Sequence, residues 1–238
     1  MEPPAAAERT FTMSANCRIR RDFTRPDQAL VDAFKGLPVA NIDDCMGRLA
    51  CLNADIRPIN DSPLLGVAFT VKAPAGDNLM FHKALDLAKP GDILVIATGG
   101  SLSRSLCGEI MTTYAKSRGI RGFIVDGCIR DSEELSQMHD FPIYYKGITP
   151  NGPYKNGPGE INFPVSVAGQ VICPGDILVG DQDSVIVIKP EEAAALAKAA
   201  WAVNAKEDQQ KADIRSGKGF PRPFVDKTLD AIGVEYVD

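Results

Sequence analysis

The chain has 238 residues, 45% hydrophobic and 24% charged, enough apolar mass for one sizeable core with short extensions. A net charge of −5, a pI near 5.2 and no basic cluster beyond Arg18, Arg20 and Arg21 argue against a nucleic-acid partner. Six cysteines without C-x-x-C spacing, and no apolar run of signal or membrane length, describe reduced thiols in a cytoplasmic protein with no membrane partner.

Residues 1–24 carry Pro3-Pro4-Ala5-Ala6-Ala7 and scattered charge, and read as an N-terminal arm, either mobile or lent as a strand to a neighbour. A domain over 25–190 follows, then a C-terminal helix and tail over 191–238. Arg25-Pro26-Asp27 predicts a helix running to Lys35, with Pro26 near N1 and Gly36 at its end. A second helix is expected over Asn41–Leu49, with Asp43 and Asp44 in an early turn rather than on a metal. Leu65–Ala73 alternates as a strand, and Pro74-Ala75-Gly76 turns it into a helix over Asn78–Ala88. Asn78 stands at that helix's start, where its ordinary role is an N-cap. His82, one turn on, has no His or Cys partner at ligand spacing, which argues against zinc.

Ile93–Ala97 reads as the next strand, and the small polar residues Gly99 to Cys107 as a loop leaving its carboxyl end. A helix begins near Gly108, carries helix formers and a basic last turn over Met111–Ser117, and stops at Gly119. Gly122–Asp126 is a short apolar strand that delivers Arg130 and Asp131 to the same carboxyl edge, where open α/β sheets bind ligands. The free N–H groups of Glu109, Ile110 and Met111 would attract a carboxylate or phosphate. Two carboxylates, Glu109 and Asp131, beside a bound anion are costly unless a cation lies between them, which points to a divalent metal. Each residue has a structural alternative. Asp131 with Glu134 fits a capping box, Glu109 in a first turn favours the helix dipole, and Arg130 can be a surface ion pair.

Tyr144–Gly147 predicts an edge strand, and the Gly/Pro/Asn run from Thr149 to Gly159 a long loop that matches no phosphate-binding pattern. Val165–Ala168, Ile177–Val179 and Ser184–Ile188 are strand runs separated by turns, hence antiparallel neighbours or a small barrel-like layer. The hexapeptide Pro-Gly-Asp-Ile-Leu-Val occurs at 90–95 and again at 174–179, which we read as one turn-plus-strand solution used twice in preference to a duplicated half. From Pro190 to about Lys211 a single long helix is expected, which outlasts one domain face and suits packing on another subunit.

The order Gly108-Glu109, a gap of twenty residues, then Arg130-Asp131 resembles the family of 4-hydroxy-4-methyl-2-oxoglutarate aldolases and regulator of ribonuclease activity A (RraA-like) proteins. Gly76-Asp77-Asn78-Leu79, Lys89 to Val95 and Gly119 to Gly127 are also similar to that family, so the likeness spans about 38–190. It implies an α/β fold of the swivelling β/β/α type, a central sheet with helices on its faces plus antiparallel strands, assembled as a homotrimer or hexamer. For chemistry it implies carbon–carbon cleavage beside a small 2-oxo acid, assisted by Mg²⁺ or Mn²⁺.

Carried over residue by residue, the resemblance gives Asp131 the metal, Glu109 a metal-bound water, and Arg130 the substrate's keto and carboxylate oxygens. Gly108, Ile110, Met111 and Asn78 would bind substrate. The family commonly has Asp at the Glu109 position, so the longer side chain here alters that contact. A further acid is expected from a neighbour's terminal helix, with Glu207 the candidate. The substrate would be 4-hydroxy-4-methyl-2-oxoglutarate or 4-carboxy-4-hydroxy-2-oxoadipate, cleaved to pyruvate, and oxaloacetate would be decarboxylated through the same enolate. Two rivals remain: a non-catalytic binding protein that regulates an RNA-processing enzyme, and a Schiff-base aldolase using Lys72 or Lys146.

Overall fold

The computed structural model describes residues 16–237. Four parallel strands, β3 (Leu64–Lys72), β4 (Asp92–Ser105), β5 (Gly122–Ile129) and β6 (Ile143–Ile148), lie side by side in chain order. Same-handed crossovers between successive neighbours put their helices on one face. Accordingly α3 (Leu79–Leu87), α4 (Glu109–Ser117) and α5 (Ser132–Ser136) share a core with Phe69, Leu94, Ile96, Phe123 and Val125. Phe123 meets Phe81 and Phe141 edge to face at 5.0 and 4.9 Å.

The intervening residues Ala68, Ile93, Val95 and Ile124 face the other way and are covered by strands. The cover consists of the hairpin β8 (Val165–Val167) and β9 (Gln170–Ile172), with β10 (Ile177–Gly180) and β11 (Val185–Ile188). β10 runs antiparallel to β3, which bends the second half of the chain back onto the first. The result is the expected β/β/α layering, with the crossover helices confined to one face of the parallel strands. A third core packs α1 (Gln28–Asp32), α2 (Val39–Cys45) and α6 (Pro190–Arg215) on the outward residues of β10 and β11.

Several boundaries differ from expectation. α1 is short because Asp27 is its N-cap, which leaves Pro26 outside the helix, while Arg25 is drawn to Asp92 at 2.7 and 2.9 Å. α2 ends at Cys45, since Gly47 and Arg48 turn the chain at positive φ. α6 runs on to Arg215, and a further helix, α7 (Pro223–Ile232), stands where the sequence predicts only a tail. In the arm, β1 (Arg18–Ile19) pairs in parallel with β7 (Glu160–Ile161) of its own chain rather than with a neighbour, whereas residues 1–15 lie outside the described residues.

β6 is close to an edge as expected, its outer side covered only by the short β2 (Arg57–Pro58). The repeated hexapeptide is one device used twice. Gly91 and Gly175 turn at φ +94° and +96°, Asp92 and Asp176 accept from the N–H three residues back, and Arg25 and Lys189 neutralise them. No helix among the described residues is long and apolar enough to cross a membrane.

Candidate active site

All four parallel strands deliver their carboxyl ends to one edge. There the loops after β3, β4, β5 and β6 enclose a cleft of about 310 Å³, and Asn78, His82, Met111, Arg130, Asp131 and Lys155 are among the residues lining it. β4 reaches this edge in an unexpected way. The segment from Gly99 is not a free loop; Gly99 and Gly100 kink the strand at φ +71° and +72°, after which Ser101 and Ser105 resume pairing with β5. β5 also continues past Asp126 to Ile129, so Arg130 and Asp131 leave it directly.

Asp131 occupies the left-handed region at φ 55° and ψ 43°, which Asp tolerates better than most residues. Its side chain makes no cap bond to α5, so the capping-box role is not realised. Instead Oδ2 accepts the Glu109 N–H at 2.9 Å, and the acid caps α4 from across the cleft. Oδ1 has no partner among the described residues. Arg130 donates its backbone N–H to Cys107 O at 3.0 Å, and its Nε stands 3.8 Å from Asp131 Oδ2. Gly108 is needed for space. Its φ of −155° suits any residue, but a Cβ would lie 2.2 Å from Asp131 Oδ2 and 3.0 Å from Arg130 Cγ.

The N–H groups of Ile110 and Met111 open the α4 ladder and find no acceptor among the described residues. Asn78 stands at the N-cap position of α3 as expected, but its side chain makes no cap bond; the buried Asp77 accepts the Leu79 N–H at 2.9 Å instead. Freed from that task, Asn78 Nδ2 donates to Leu106 O at 2.8 Å, and its Oδ1 is buried without a donor. An orphaned acceptor of this kind costs about 1–3 kcal/mol unless a ligand supplies the proton.

The cleft therefore gathers Asn78, Gly108, Ile110, Met111, Arg130 and Asp131. It does not gather the other two acids. Glu109 is exposed beyond the cleft lining, and Glu207 lies on α6, 3.8 Å from Lys211. Among the described residues no three His, Cys, Asp or Glu side chains converge as a metal site. The cleft offers one carboxylate with a free oxygen, a donor set that fits a hard, water-retaining cation such as Mg²⁺ and not zinc. Cys107 lines the floor, but burial and the Asp131 charge, opposed by Arg130, push its thiol up to about 12.

Neither lysine has the character of a Schiff-base nucleophile. Burial pulls the Lys146 pKa down, yet hydrogen bonds to Asp55 and Asp126 outweigh it and the net shift is upward. Lys72 reaches Glu160 at 3.7 Å, away from the cleft. A larger cavity, about 630 Å³, opens at the amino ends of the strands around Leu64, Gly66 and Gly91, and none of the predicted site residues lines it.

A family model described as RraA-like, Aldolase/RraA, matches residues 29–187, a span that contains every residue of the cleft. The chain belongs to the RraA-like family. A Halalkalibacterium halodurans relative with the provisional name 4-hydroxy-4-methyl-2-oxoglutarate aldolase is 41% identical, over 71% of this chain and 81% of its own length. An uncharacterized Methanocaldococcus jannaschii protein is 34% identical over 79% of this chain and 90% of its own. Among solved structures, an unusual member of the RNase ES inhibitor RraA family from Streptomyces coelicolor superposes with TM-score 0.72 and 25% identity, covering 80% of this chain and 99% of that one. Both α7 and Glu207 fall outside the span matched by the family model.

Sequence reading gave no site role to Lys155, which lines the cleft, or to Asp77, which braces it. Asp77 carried a usable signal, a carboxylate one residue before a helix start. Lys155 carried none, because only the folded loop brings it to the cleft.

Proposed function

We propose that this RraA-like protein is a divalent-metal-dependent lyase. Its substrate would be 4-hydroxy-4-methyl-2-oxoglutarate or 4-carboxy-4-hydroxy-2-oxoadipate, cleaved to release pyruvate, with oxaloacetate decarboxylated at the same site. The observation that supports this most is the meeting of Arg130, the lone carboxylate Asp131, two free N–H groups and the orphaned Asn78 Oδ1 in one cleft.

The substrate's C1 carboxylate docks on the N–H groups of Ile110 and Met111, and the Arg130 guanidinium takes the C2 oxygen. When the C3–C4 bond breaks, its electron pair passes to C3 and is delocalised onto that oxygen, where Arg130 stabilises it as it forms. The C4 hydroxyl gives up its proton, and the enolate is later protonated at C3 to give pyruvate. Mg²⁺ or Mn²⁺ held by Asp131 would supply Lewis acidity at the C2 oxygen. The acid–base group comes from outside the cleft lining: Glu109 at its mouth, or Glu207 of a second subunit in a trimer or hexamer.

Purified protein should release pyruvate from oxaloacetate and from the 4-hydroxy-2-oxo diacids with Mg²⁺ or Mn²⁺ present. Undiminished release after exhaustive EDTA treatment would overturn the metal-dependent reading. A second reading, regulation of an RNA-processing enzyme, draws on the likeness to the RNA-processing inhibitor RraA from Thermus thermophilis, TM-score 0.59 and 26% identity. Inhibition of an RNase by a chain that never releases pyruvate would favour it.

A further inference from the structure

The cleft has a second cationic end that the proposed chemistry leaves unused. Lys155 lines it, is exposed, and has no carboxylate within ion-pair distance among the described residues. Its position is fixed although it sits in a long loop. On one side Tyr154 exchanges backbone hydrogen bonds with Gly76 and Asn78 at 2.8 and 3.0 Å. On the other, Asp77 Oδ2 accepts from the N–H groups of Asn156 and Gly157 at 2.6 and 3.0 Å. Arg104 clamps the same loop through Gly152 O and the Tyr154 hydroxyl, both at 2.7 Å.

His82, one turn beyond Asn78 on α3, lines the same cleft. Its burial and the Lys155 charge lower its pKa against the opposing pull of Asp86, which favours the neutral ring. The Arg130 guanidinium approaches the same loop at Gly152, where an added Cβ would lie 3.6 Å from its Nη1.

We infer that Lys155, with His82 beside it, receives the distal carboxylate of the substrate and sets the preference for dicarboxylic over monocarboxylic 2-oxo acids. The inference rests on the proposed 2-oxo acid lyase function. It adds a residue that determines specificity and takes no part in bond breaking. With Arg130 and the α4 N–H groups holding the 2-oxo acid end, the unpaired ammonium in the remainder of the cleft matches a carboxylate at the far end of the substrate. A cleft built for a monoacid would leave that ammonium facing an alkyl group.

Binding is read by calorimetry in Mg²⁺ buffer with 2-oxoglutarate and 2-oxopentanoate, which match in chain length and differ in the distal carboxylate. Wild-type protein should bind the diacid about tenfold more tightly, the change expected for one charge-assisted hydrogen bond. Lys155→Gln should erase that preference and Lys155→Arg should keep it. Turnover of 4-hydroxy-4-methyl-2-oxoglutarate by Lys155→Gln should show a raised KM with kcat little changed. Equal binding of the two acids to wild-type protein, or a diacid preference that survives Lys155→Gln, overturns the inference alone. Failure of both acids to bind wild-type protein overturns it together with the 2-oxo acid reading beneath it.

Discussion

Gly108→Ala adds one methyl group where the structure leaves no room. The new Cβ would stand 2.2 Å from Asp131 Oδ2, against an ordinary contact of roughly 3.5 Å, so the carboxylate must retreat by about 1 Å. Asp131 has little freedom to do so smoothly, because its backbone is already held at φ 55°. Retreat breaks the bond from the Glu109 N–H to the carboxylate, which costs about 1.5–3 kcal/mol for a charged acceptor. Against this, Gly→Ala at an extended φ stabilises by about 0.4–1 kcal/mol through the unfolded chain. The net loss is about 0.5–2.5 kcal/mol, a fall of only a few degrees in Tm for a chain of this size. Misplacing a ligating group by about 1 Å costs on the order of 10²-fold in rate. Pyruvate release, followed by coupled lactate dehydrogenase, should therefore drop about a hundredfold while the folded protein persists at 25 °C. Wild-type turnover in a well-folded Gly108→Ala protein would refute the claim that the Asp131 position governs the chemistry.

Other outcomes follow from the same geometry. Arg130→Lys keeps the charge but loses the planar fork, and should cut turnover by about two orders of magnitude with little change in Tm; normal turnover with a large stability loss would make Arg130 a structural ion pair. Borohydride added with pyruvate should trap no adduct, since Asp55 and Asp126 hold Lys146 protonated, and mass-spectrometric detection of a modified Lys72 or Lys146 would contradict this. Native protein at pH 8 should react with a disulfide reagent at the exposed Cys17. Cys107 and Cys128, whose thiol pKa values burial raises, should react only after denaturation, and rapid native labelling of Cys107 by peptide mapping would show that the cleft floor opens.

What was legible in the sequence was mostly what periodicity and chain direction dictate. Apolar runs separated by helix-sized spacers predict parallel strands, and parallel strands send their following loops to one edge. That is why Asn78, Gly108, Arg130 and Asp131 could be placed together before their contacts were known. Local polar chemistry was harder to read, because several partners compete for one carboxylate. Asp131 has the spacing of a cap for α5, but its left-handed backbone aims it at the open end of α4 instead. Asn78 holds the N-cap position, but the Leu79 N–H goes to Asp77, whose second oxygen also ties down the loop bearing Lys155. The serines after Gly100 look like loop because this half of β4 is largely exposed and kinked by two glycines, so neither burial nor alternation marks it. α7 escaped notice because none of its residues is buried in this chain.

The most direct test of the account is Asp131→Asn, measured for Tm and for Mg²⁺-dependent pyruvate release side by side with wild-type protein. Asn tolerates the left-handed backbone and its amide oxygen can still accept the Glu109 N–H, but it is a poorer ligand for a hard divalent cation. The variant should melt near the wild-type temperature and release almost no pyruvate at Mg²⁺ concentrations that saturate the wild type. An Asn variant that is stable and active, with unchanged Mg²⁺ dependence, would contradict it.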